Sequence, residues 1–438
     1  MPRIKIRKFL LIIIIFVCCM IVFEIIKHLY DDFNDESFYI TDSSVPIILW
    51  WTPFGGEEKY TKCGNVKCYF TQNRSFMKNL NLKAMIFYGS NFDLNDLPIP
   101  RKPNVKWALF HEESPRNNLM FVHEEALKLF NYSATFSRFS DVPLTLLELP
   151  GEDELQDKSY FYSTPQKNLL MKQNNLAPVL FIQSNCDTMN DRDLYVTELM
   201  KYIAVDSYGS CMNNKKLPDG LEQNYLDKLK SREFLQFVAQ YKFTLAFENA
   251  NCDDYITEKL WRPLIVGSVP IYYGSASFKD WLPNDKSAIA VTDFKHPRDL
   301  ADYIKQLLHD DRKYELYLRH KLSENGITNE HLLENLRSRP QYLFSIFEYY
   351  VRRFECVICQ KIHKNSVQTM TRKQYNCSKP KSIFNNKEKK ESSWTLMWEL
   401  EACTAKLLNY WLSHNKTFNS NQFNKEKLQM YENKKCYK

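Results

Sequence analysis

The chain has 438 residues, of which 44% are hydrophobic and 14% aromatic, enough material for two domains of ordinary size. Its formal charge of +7 arises from 59 basic and 52 acidic residues, a mixture typical of an ordinary surface, and it does not indicate a nucleic-acid partner. The chain has only 10 glycines and neither a G-x-G-x-x-G nor a G-x-x-x-x-G-K motif, which excludes the usual glycine-rich phosphate loops.

Residues 1–26 have the pattern of an uncleaved signal anchor. A basic tail over 1–8 precedes an apolar run over 9–26 that is interrupted only by Glu24. The run is short for a bilayer span of about 20 residues, but a charge at its edge can reach the headgroup region. A cleaved signal peptide is the alternative, although no small-residue cleavage site follows the run. We predict a cytosolic tail, a transmembrane helix over 9–26, a stem over 27–45 and a luminal remainder, because the basic residues stay in the cytosol.

The cysteines and the glycosylation sequons agree with a luminal location. Ten cysteines follow the apolar run, an even number that suits disulfides in an oxidising compartment. Cys356 and Cys359 form a C-x-x-C motif that would suit half of a zinc site. The other close pair, Cys63 and Cys68, lies far upstream, so disulfides are favoured over zinc. The pairing of the remaining six is left open: Cys186, Cys211, Cys252, Cys377, Cys403 and Cys436. Sequons that predict N-glycosylation begin at Asn73, Asn131, Asn376 and Asn415.

A first block of alternating strands and helices spans 46–165. The predicted elements are strands over 47–51, 84–88 and 106–110 and a helix over 119–130. The third strand leads into the polar cluster His111-Glu112-Glu113-Ser114-Pro115. The proline- and charge-rich segment 148–175 is predicted to be a hinge to the next block.

A second block of the same kind spans 166–363. Its predicted elements are a strand from 178 that ends in Gln183-Ser184-Asn185, helices over 191–203, 298–309 and 341–354, and a strand–helix–strand unit over 243–274. In that unit the first strand ends in Glu248-Asn249, Asp253 or Asp254 caps the helix, and Gly267 stops it. The repeated alternation predicts two α/β layers with parallel sheets, whose ligands bind at the carboxyl ends of the strands.

The unit over 243–274 also has the features of an anion site. The end of its first strand lies beside a helix N-terminus, where backbone N–H groups and the helix dipole attract anions. Lys259 falls early in the helix, where the dipole alone would disfavour a cation. We expect a nearby anion to resolve this conflict, and a phosphate-bearing ligand is the natural candidate.

Asp191-Arg192-Asp193 matches a D-x-D pattern that in some enzymes holds a divalent metal on a nucleotide sugar. In a chain with this many acidic residues the pattern is common by chance. Here it opens a predicted helix, where Asp residues serve as caps. Capping is therefore favoured over metal binding.

The C-terminal region over 364–438 is predicted to be an extension beyond the second block. Lys, Asn, Ser and Gln dominate 364–393, which indicates a mobile linker. An amphipathic helix is predicted over 394–412, with one side formed by Trp394, Met397, Trp398, Ala405, Leu408 and Trp411 or Leu412. Packing against the main body is the favoured interpretation, with partner or membrane contact as the alternative.

Residues 247–261, FENANCDDYITEKLW, resemble the signature of the α1,3-fucosyltransferases of glycosyltransferase family 10. Shorter matches occur in the family's order and would mean little alone: Glu113-Ser114-Pro115, Leu129-Phe130-Asn131-Tyr132, Ser184-Asn185-Cys186, Tyr208-Gly209 and Val269-Pro270. Together they cover roughly 46–359, about seven-tenths of the chain.

The resemblance implies an α/β GT-B fold, in which two Rossmann-like domains face each other across a cleft. It implies GDP-β-L-fucose as co-substrate, no metal or other cofactor, and inverting transfer with Glu113 as general base on the acceptor hydroxyl. The donor-binding residues that it implies are Ser184, Asn185, Arg192, Asn249, Tyr255, Glu258 and Lys259. It also implies that Cys63 and Cys68 are bridged to Cys356 and Cys359.

Departures from the family pattern concern the acceptor. Ala250 and the pair Arg262-Pro263 replace the residues of many members, and Cys252 and the long tail after Cys359 are unlike the Lewis-antigen enzymes. They resemble an animal branch linked to core N-glycan fucosylation and to O-fucosylation of small disulfide-rich domains. The acceptor is therefore left open between GlcNAc of an N-glycan, which would receive fucose in α1,3 linkage, and Ser/Thr of a folded cysteine-rich domain. The compartment is left open between the Golgi stack and the endoplasmic reticulum membrane. The alternative function is a non-catalytic, glycoprotein-binding or chaperone-like luminal protein that keeps the fold.

Overall fold

The computed structural model describes residues 44–54, 58–221, 229–340, 345–385, 387–388 and 392–436. Pro46–Lys438 forms one compact unit, and both sheets lie within it. The predicted tail, the predicted transmembrane helix and nearly all of the predicted stem lie outside the described residues. Among the residues that are described, none of the helices combines the length and the apolar character needed to cross a bilayer.

The first sheet is built from seven strands: β1 (Ile47–Thr52), β2 (Lys59–Cys63), β3 (Val66–Thr71), β4 (Leu82–Tyr88), β5 (Lys106–His111), β6 (Tyr132–Thr135) and β7 (Val142–Pro143). Their spatial order is β2-β3-β1-β4-β5-β6-β7, and every neighbouring pair is parallel except β2 with β3. Strand β1 is buried along its whole length, as expected for a parallel strand covered on both faces. The three strands predicted for this block are confirmed.

The second sheet is built from five strands: β8 (Val179–Ile182), β9 (Val205–Tyr208), β10 (Phe243–Phe247), β11 (Val269–Tyr273) and β12 (Ile289–Ala290). All pairs are parallel, and the order is β12-β11-β10-β8-β9. From β8 the chain goes first to β9 on one side and then to β10 on the other. The carboxyl ends of β8 and β10 therefore flank a topological switch point, the usual ligand position in such sheets.

The α-helices of the described residues are α1 (Glu124–Leu127), α2 (Glu152–Gln156), α3 (Thr164–Gln173), α4 (Arg192–Leu199), α5 (Arg232–Ala239), α6 (Glu258–Val266), α7 (Pro297–His309), α8 (Asp311–Glu315), α9 (Arg319–Leu322), α10 (Glu330–Arg337), α11 (Ile346–His363), α12 (Ser393–Ser413) and α13 (Ser420–Glu432). The helix predicted over 119–130 is instead a 3-10 turn, Leu119–Val122, followed by α1. Extended His123 separates the two, and its Nε2 lies 2.9 Å from the Trp398 carbonyl oxygen.

The strand–helix–strand unit over 243–274 is confirmed as β10, α6 and β11, but its helix begins later than predicted. Thr257 occupies the N-cap, and its Oγ1 accepts a hydrogen bond from the Lys259 backbone N–H. Asp254 is not the cap, because it adopts φ +62° and binds Arg138 of the first block through several hydrogen bonds. Gly267 ends the helix with φ +74°, a left-handed conformation that favours glycine.

The predicted hinge over 148–175 contains α2 and α3, and α3 is fixed to the second sheet. Lys167 of α3 is fully buried, and its Nζ donates to the carbonyl oxygens of Tyr241 and Gly267 at 2.9 and 2.7 Å. The amino-terminal part of the segment is held as well, because Lys321 Nζ of the second block donates to the carbonyl oxygens of Glu154 and Asp157 at 2.8 and 2.6 Å.

Five disulfides join the ten cysteines that follow Cys19. Cys63 bonds to Cys356 and Cys68 to Cys359, the pairing of both ends of the catalytic region that the resemblance implies. These bonds hold α11 against the first sheet and consume the ligands that a zinc site would need. The pairs that the sequence left open are Cys186–Cys211, Cys252–Cys377 and Cys403–Cys436.

The C-terminal region packs more closely than its composition predicts. Tyr375 is fully buried and Cys377 is bonded to Cys252, so the prediction of a mobile linker is wrong for this part of 364–393. Helix α12 packs against the 3-10 turn Leu119–Val122 and against α1, which confirms the favoured core-packing interpretation. Met397 departs from it, because its side chain is 44% exposed.

Candidate active site

A cavity of about 360 Å³ lies where the carboxyl end of β5 meets those of β8 and β10 and the start of α6. Parallel strands bring their carboxyl ends to one edge of a sheet, so polar clusters far apart in sequence meet there. The predicted base and every predicted donor-binding residue line this one cavity: Glu113, Ser184, Asn185, Arg192, Asn249, Tyr255, Glu258 and Lys259.

Three carboxylates face the cavity from the first block. Glu112 and Glu113 follow β5, and Glu148 approaches from the loop after β7. Burial raises the pKa of Glu113, the charge of Lys259 lowers it, and the charges of Glu258 and Glu148 raise it again. A carboxylate whose pKa is shifted towards neutrality is a stronger base than an exposed one. Glu113 therefore suits deprotonation of a bound hydroxyl.

Glu112 is a second unusual carboxyl at this edge, and sequence reasoning gave it no role. Its Oε1 accepts a hydrogen bond from the Tyr88 hydroxyl at 3.2 Å, while its Oε2 is buried without a partner among the described residues. Burial raises the pKa of Glu112 to about 7, and the charges of Glu113 and Glu148 add to the rise. The sequence feature that could have identified Glu112 is its position next to Glu113 in the polar cluster at the end of β5.

Glu112→Gln is expected to stabilise the protein more at pH 8 than at pH 5. A carboxyl whose pKa is about 7 when folded and near 4.5 when unfolded contributes stability below 4.5 that is lost as the pH rises through 7. Glutamine cannot ionise, so the variant avoids this loss. The measurement is the melting temperature of variant and wild type at both pH values.

The matched control for this comparison is Glu125→Gln. The hydrogen bond from Lys128 lowers the pKa of Glu125, so this carboxyl is ionised in both folded and unfolded chains between pH 5 and 8. Its effect on the melting temperature should not change across that range. If the change in melting temperature caused by Glu112→Gln were also the same at pH 5 and pH 8, that result would contradict the raised pKa of Glu112.

The start of α6 supplies the charged groups on the predicted donor side of the cavity. Glu248 is fully buried and accepts hydrogen bonds from the Thr257 backbone N–H and hydroxyl, both at 2.9 Å. Lys259 Nζ donates to Glu258 Oε1 at 3.0 Å and lies 3.7 Å from Glu248 Oε2. The anions expected beside Lys259 are thus protein carboxylates as well as any ligand.

The ionised groups at this end of the cavity shift one another's pKa values. Burial disfavours the charge of Lys259, but Glu258 and Glu248 raise its pKa above the ordinary value. Burial likewise disfavours the charge of Glu258, but Lys259 and Arg262 hold its pKa at about 2. Burial raises the pKa of Glu248 to about 7, although Lys259 lowers it. Lys259 and Glu258 are therefore both ionised at neutral pH.

Arg192 lies beneath the cavity and joins the two strands of the switch point. It is 2% exposed, and its Nη1 and Nη2 donate to the carbonyl oxygens of Phe247 and Asn185 at 2.7 and 3.1 Å. Within the described chain, Arg192 Nε and Asn249 Oδ1 are buried without hydrogen-bond partners. Because buried polar atoms in native proteins are nearly always paired, these two are positioned for a polar ligand. That Arg192 contacts a diphosphate stays a prediction.

The D-x-D residues occupy the start of α4. Asp191 is at the N-cap position with φ +57°, and the intervening Arg192 turns into the cavity. The only group of three or more potential metal ligands among the described residues is Cys68, Cys359 and His363, and its two cysteines form a disulfide. The D-x-D pattern thus lies at a helix start as predicted, but the Asp191 side chain makes no capping hydrogen bond, so the predicted capping by its carboxylate is wrong.

Several cavity residues escaped sequence reasoning besides Glu112. Gln183 and Thr257 adjoin predicted residues in the motifs Q-S-N and T-E-K and were recognisable by position. Arg262 lies one helical turn after Glu258, so the helical period also indicated it. Glu148 carried no local signal, because it lies in a loop that reaches the cavity only through the tertiary fold.

Two family models match the chain. "Fucosyltransferase, N-terminal" matches residues 42–146, and "Glycosyltransferase family 10 (fucosyltransferase) C-term" matches residues 171–377. GDP-fucose protein O-fucosyltransferase 3 of Canis lupus familiaris is 49% identical over 324 residues, which are 74% of this chain and 67% of the relative. The protein of the same name from Gallus gallus is 41% identical over 417 residues, which are 91% of this chain and 86% of the relative. A solved alpha1,3-fucosyltransferase is 19% identical, covers 71% of this chain and 92% of its own, and has a TM-score of 0.43.

Proposed function

Because this chain belongs to the fucosyltransferases of glycosyltransferase family 10, we propose that it transfers L-fucose from GDP-β-L-fucose to a hydroxyl of a folded protein. The observation that carries the proposal is the single cavity in which Glu113 of one block meets Asn249, Tyr255, Glu258 and Lys259 of the other. Transfer between two substrates requires a base for the acceptor and a cationic site for the donor, and this cavity has candidates for both on facing sheet edges.

In the proposed reaction Glu113 removes the proton of the acceptor hydroxyl as its oxygen attacks the anomeric carbon of fucose. The bond from that carbon to the β-phosphate oxygen breaks, GDP departs with the bonding electrons, and the β-linked donor gives an α-linked product. Positive charge develops on the sugar and negative charge on the diphosphate in the transition state. The proton ends on Glu113 and passes to solvent.

We propose that fixed cations stabilise the leaving diphosphate without a metal. Arg192, Lys259 and Arg262 all line the cavity, and burial strengthens their electrostatic effect relative to that in water. Full activity in EDTA is expected. Loss of activity in EDTA with recovery on adding Mn²⁺ would instead favour a metal held by Asp191 and Asp193.

We propose a Ser/Thr hydroxyl of a folded, cysteine-rich domain as the acceptor. Its support is the activity for which two relatives are named, since proteins that are 49% and 41% identical are both protein O-fucosyltransferases. The test offers labelled GDP-fucose with two acceptors side by side, an N-glycan and a folded cysteine-rich domain. Label that survives removal of N-glycans and is lost on β-elimination supports the proposal. Label released with the N-glycans would mean α1,3 transfer to GlcNAc, and failure to bind GDP would favour the non-catalytic alternative.

We propose a GT-B arrangement and a luminal location for the catalytic region. Two sheets, one of them parallel throughout and the other parallel except for one pair, share one cavity at their carboxyl ends and support the first. Five disulfides support the second, because such bonds persist in oxidising compartments. The proposed topology is a single-pass type II protein of the endoplasmic reticulum or Golgi membrane, anchored by residues 9–26.

Glycans are expected on the exposed sequons but not on two that the fold engages. The Nδ2 of Asn131 donates to the Gln368 carbonyl oxygen at 2.9 Å, and that of Asn376 donates to Asp253 at 2.6 Å. A glycan is attached through this same nitrogen, where it replaces one of the two hydrogens, and its bulk should disturb both contacts. Mass spectrometry of the glycosidase-treated protein should find occupancy only at Asn73 and Asn415. A glycan on either engaged residue would contradict these contacts.

A further inference from the structure

Residues 371–378, called the strap here, connect the two sides of the active site. The strap begins with a 3-10 turn, Arg372–Tyr375, which is closed by a capping box between Thr371 and Gln374. It lies beyond α11, in the region whose composition predicts a mobile linker. The strap instead makes many contacts, and these connect it to three regions that are far apart in the sequence.

The amino-terminal part of the strap is fixed to the end of β6. The Thr135 hydroxyl donates to the Gln374 carbonyl oxygen at 2.5 Å, and the Ser137 hydroxyl donates to the Lys373 carbonyl oxygen at 2.7 Å. Thr135 and Ser137 are themselves buried, so the donor of each hydrogen bond is shielded from water. This half of the strap therefore moves with the first sheet.

The carboxyl-terminal part of the strap is fixed to the loop that carries the family signature. The Asp253 backbone N–H donates to the Asn376 carbonyl oxygen at 2.9 Å, and the Ser378 N–H donates to the Asn251 carbonyl oxygen at 3.0 Å. Between these bonds Cys377 forms its disulfide with Cys252. The loop that begins with donor-site Asn249 is thus covalently tied to the strap.

Tyr375 stands at the centre of the strap and contacts the predicted base. Its hydroxyl donates to the backbone carbonyl oxygen of Glu113 at 2.9 Å. Its ring is fully buried, stacks on His111 with an interplanar angle of 3°, and packs against Phe136 with centroids 4.6 Å apart. Phe136 in turn packs against donor-site Tyr255 at 5.2 Å. One side chain therefore contacts the loop of the base and, through one ring, the donor side.

A buried tyrosine with a satisfied hydroxyl is usually a simple packing element. Here the acceptor of its hydrogen bond is the residue whose carboxylate must meet the substrate hydroxyl within about 3 Å. The direction of the Glu113 side chain follows its backbone, which Tyr375 holds from one side. A displacement of about 1 Å in such a group can lower the rate by about 100-fold.

We propose that Tyr375 is a positioning residue for fucosyl transfer, which fixes the Glu113 backbone relative to the donor loop through the strap. This inference rests on the proposed function, in which Glu113 is the base. Tyr375 touches no substrate in this role. Its removal should therefore lower turnover without weakening the binding of GDP-fucose.

The test compares Tyr375→Phe with Tyr132→Phe as a matched control. Phenylalanine keeps the ring packing at either position and removes only the hydroxyl. Tyr132 is 1% exposed, and its hydroxyl donates to the Ser366 carbonyl oxygen at 3.0 Å, a similar bond that does not involve Glu113. Tyr375→Phe should lower kcat by about tenfold or more, with the KM for GDP-fucose within about twofold of wild type. Tyr132→Phe should lose comparable thermal stability and keep its kcat.

Equal kcat values for the two variants would overturn the proposal. Hydrogen exchange of the backbone amides over 112–116 decides it independently of catalysis. Faster exchange there in Tyr375→Phe but not in Tyr132→Phe supports positioning, and equal exchange overturns it. If the wild-type protein transfers no fucose to any acceptor, the proposed function fails, and the exchange comparison still decides whether Tyr375 fixes the backbone at Glu113.

Discussion

Glu113→Gln is expected to reduce fucosyl transfer by about 10³-fold while GDP-fucose still binds. Glutamine occupies the same space but cannot accept the acceptor's proton, so the loss falls on kcat. The predicted donor-binding residues Asn249 and Lys259 line the cavity from the second block, and the substitution leaves them unchanged. The measurements are turnover of labelled donor and calorimetric titration with GDP-fucose.

The control for this prediction is Glu125→Gln, at a surface carboxylate paired with Lys128 on the same block. It should retain wild-type turnover. Full activity of the Glu113→Gln variant would exclude Glu113 as the base. Glu112 would then be the candidate, because it lines the same cavity, has an unpartnered Oε2 and has a pKa of about 7. Turnover of Glu112→Gln measured in the same series distinguishes the two carboxyls.

The regular elements around the site were predictable because their signals are local. Strand β10, helix α6 and strand β11 follow from an apolar run, a helical period and a run rich in Val, Ile and Tyr. Gly267 was predictable as the helix stop, since only a residue that tolerates a left-handed conformation fits there. Clustering of the strand ends followed from the parallel topology alone.

The predicted N-cap of α6 was wrong because of a tertiary contact, which a local sequence pattern cannot reveal. Asp254 has the right chemistry for a cap, but Arg138 binds its carboxylate with donor–acceptor distances from 2.6 to 3.0 Å. The two residues are 116 positions apart. An ion pair formed across the tertiary fold thus outweighed a capping contact, and Thr257 became the cap.

The linker prediction failed because composition does not register a few strongly anchoring residues. The segment from 364 to 393 is polar on average, yet Met370, Tyr375 and Cys377 are each no more than 2% exposed. The partner of Cys377 is Cys252, 125 residues upstream, and sequence alone gives no means of choosing it. The strap, and with it the role proposed for Tyr375, is visible only in the structure.

The protonation states of the donor side also required the structure. The family signature identifies Glu258 and Lys259, but it does not reveal that fully buried Glu248 lies 3.7 Å from the same ammonium group. Lys259 therefore neutralises these two carboxylates in addition to its predicted contact with a phosphate. Its substitution should therefore remove one predicted phosphate contact and also leave both carboxylates without their shared cation.

Lys259→Ala is expected to weaken GDP binding by about 10- to 100-fold, the range for a hydrogen bond to a charged group. Without the ammonium group, the ionised Glu258 would face the diphosphate and repel it. The pKa of Glu248 should rise further in this variant, because the positive charge of Lys259 lowers that pKa in the wild type. Calorimetric titration with GDP measures the loss. A parallel titration with guanosine tests its cause, since a ligand without phosphate should bind variant and wild type alike.

Lys305→Ala is the matched control for the loss of a cation, because Lys305 lies on α7 in the same block and is paired only with exposed Asp302 among the contacts described for it. It should bind GDP with wild-type affinity. If Lys259→Ala also retained that affinity, the diphosphate would have to be held elsewhere, by Arg192 Nε or Arg262. If guanosine binding fell together with GDP binding, Lys259 would act by maintaining the shape of the α6 start rather than by its charge. If Lys259→Ala weakens the binding of GDP but not of guanosine, the effect is due to the phosphates. The leaving group then lies beside Lys259, across the cavity from Glu113.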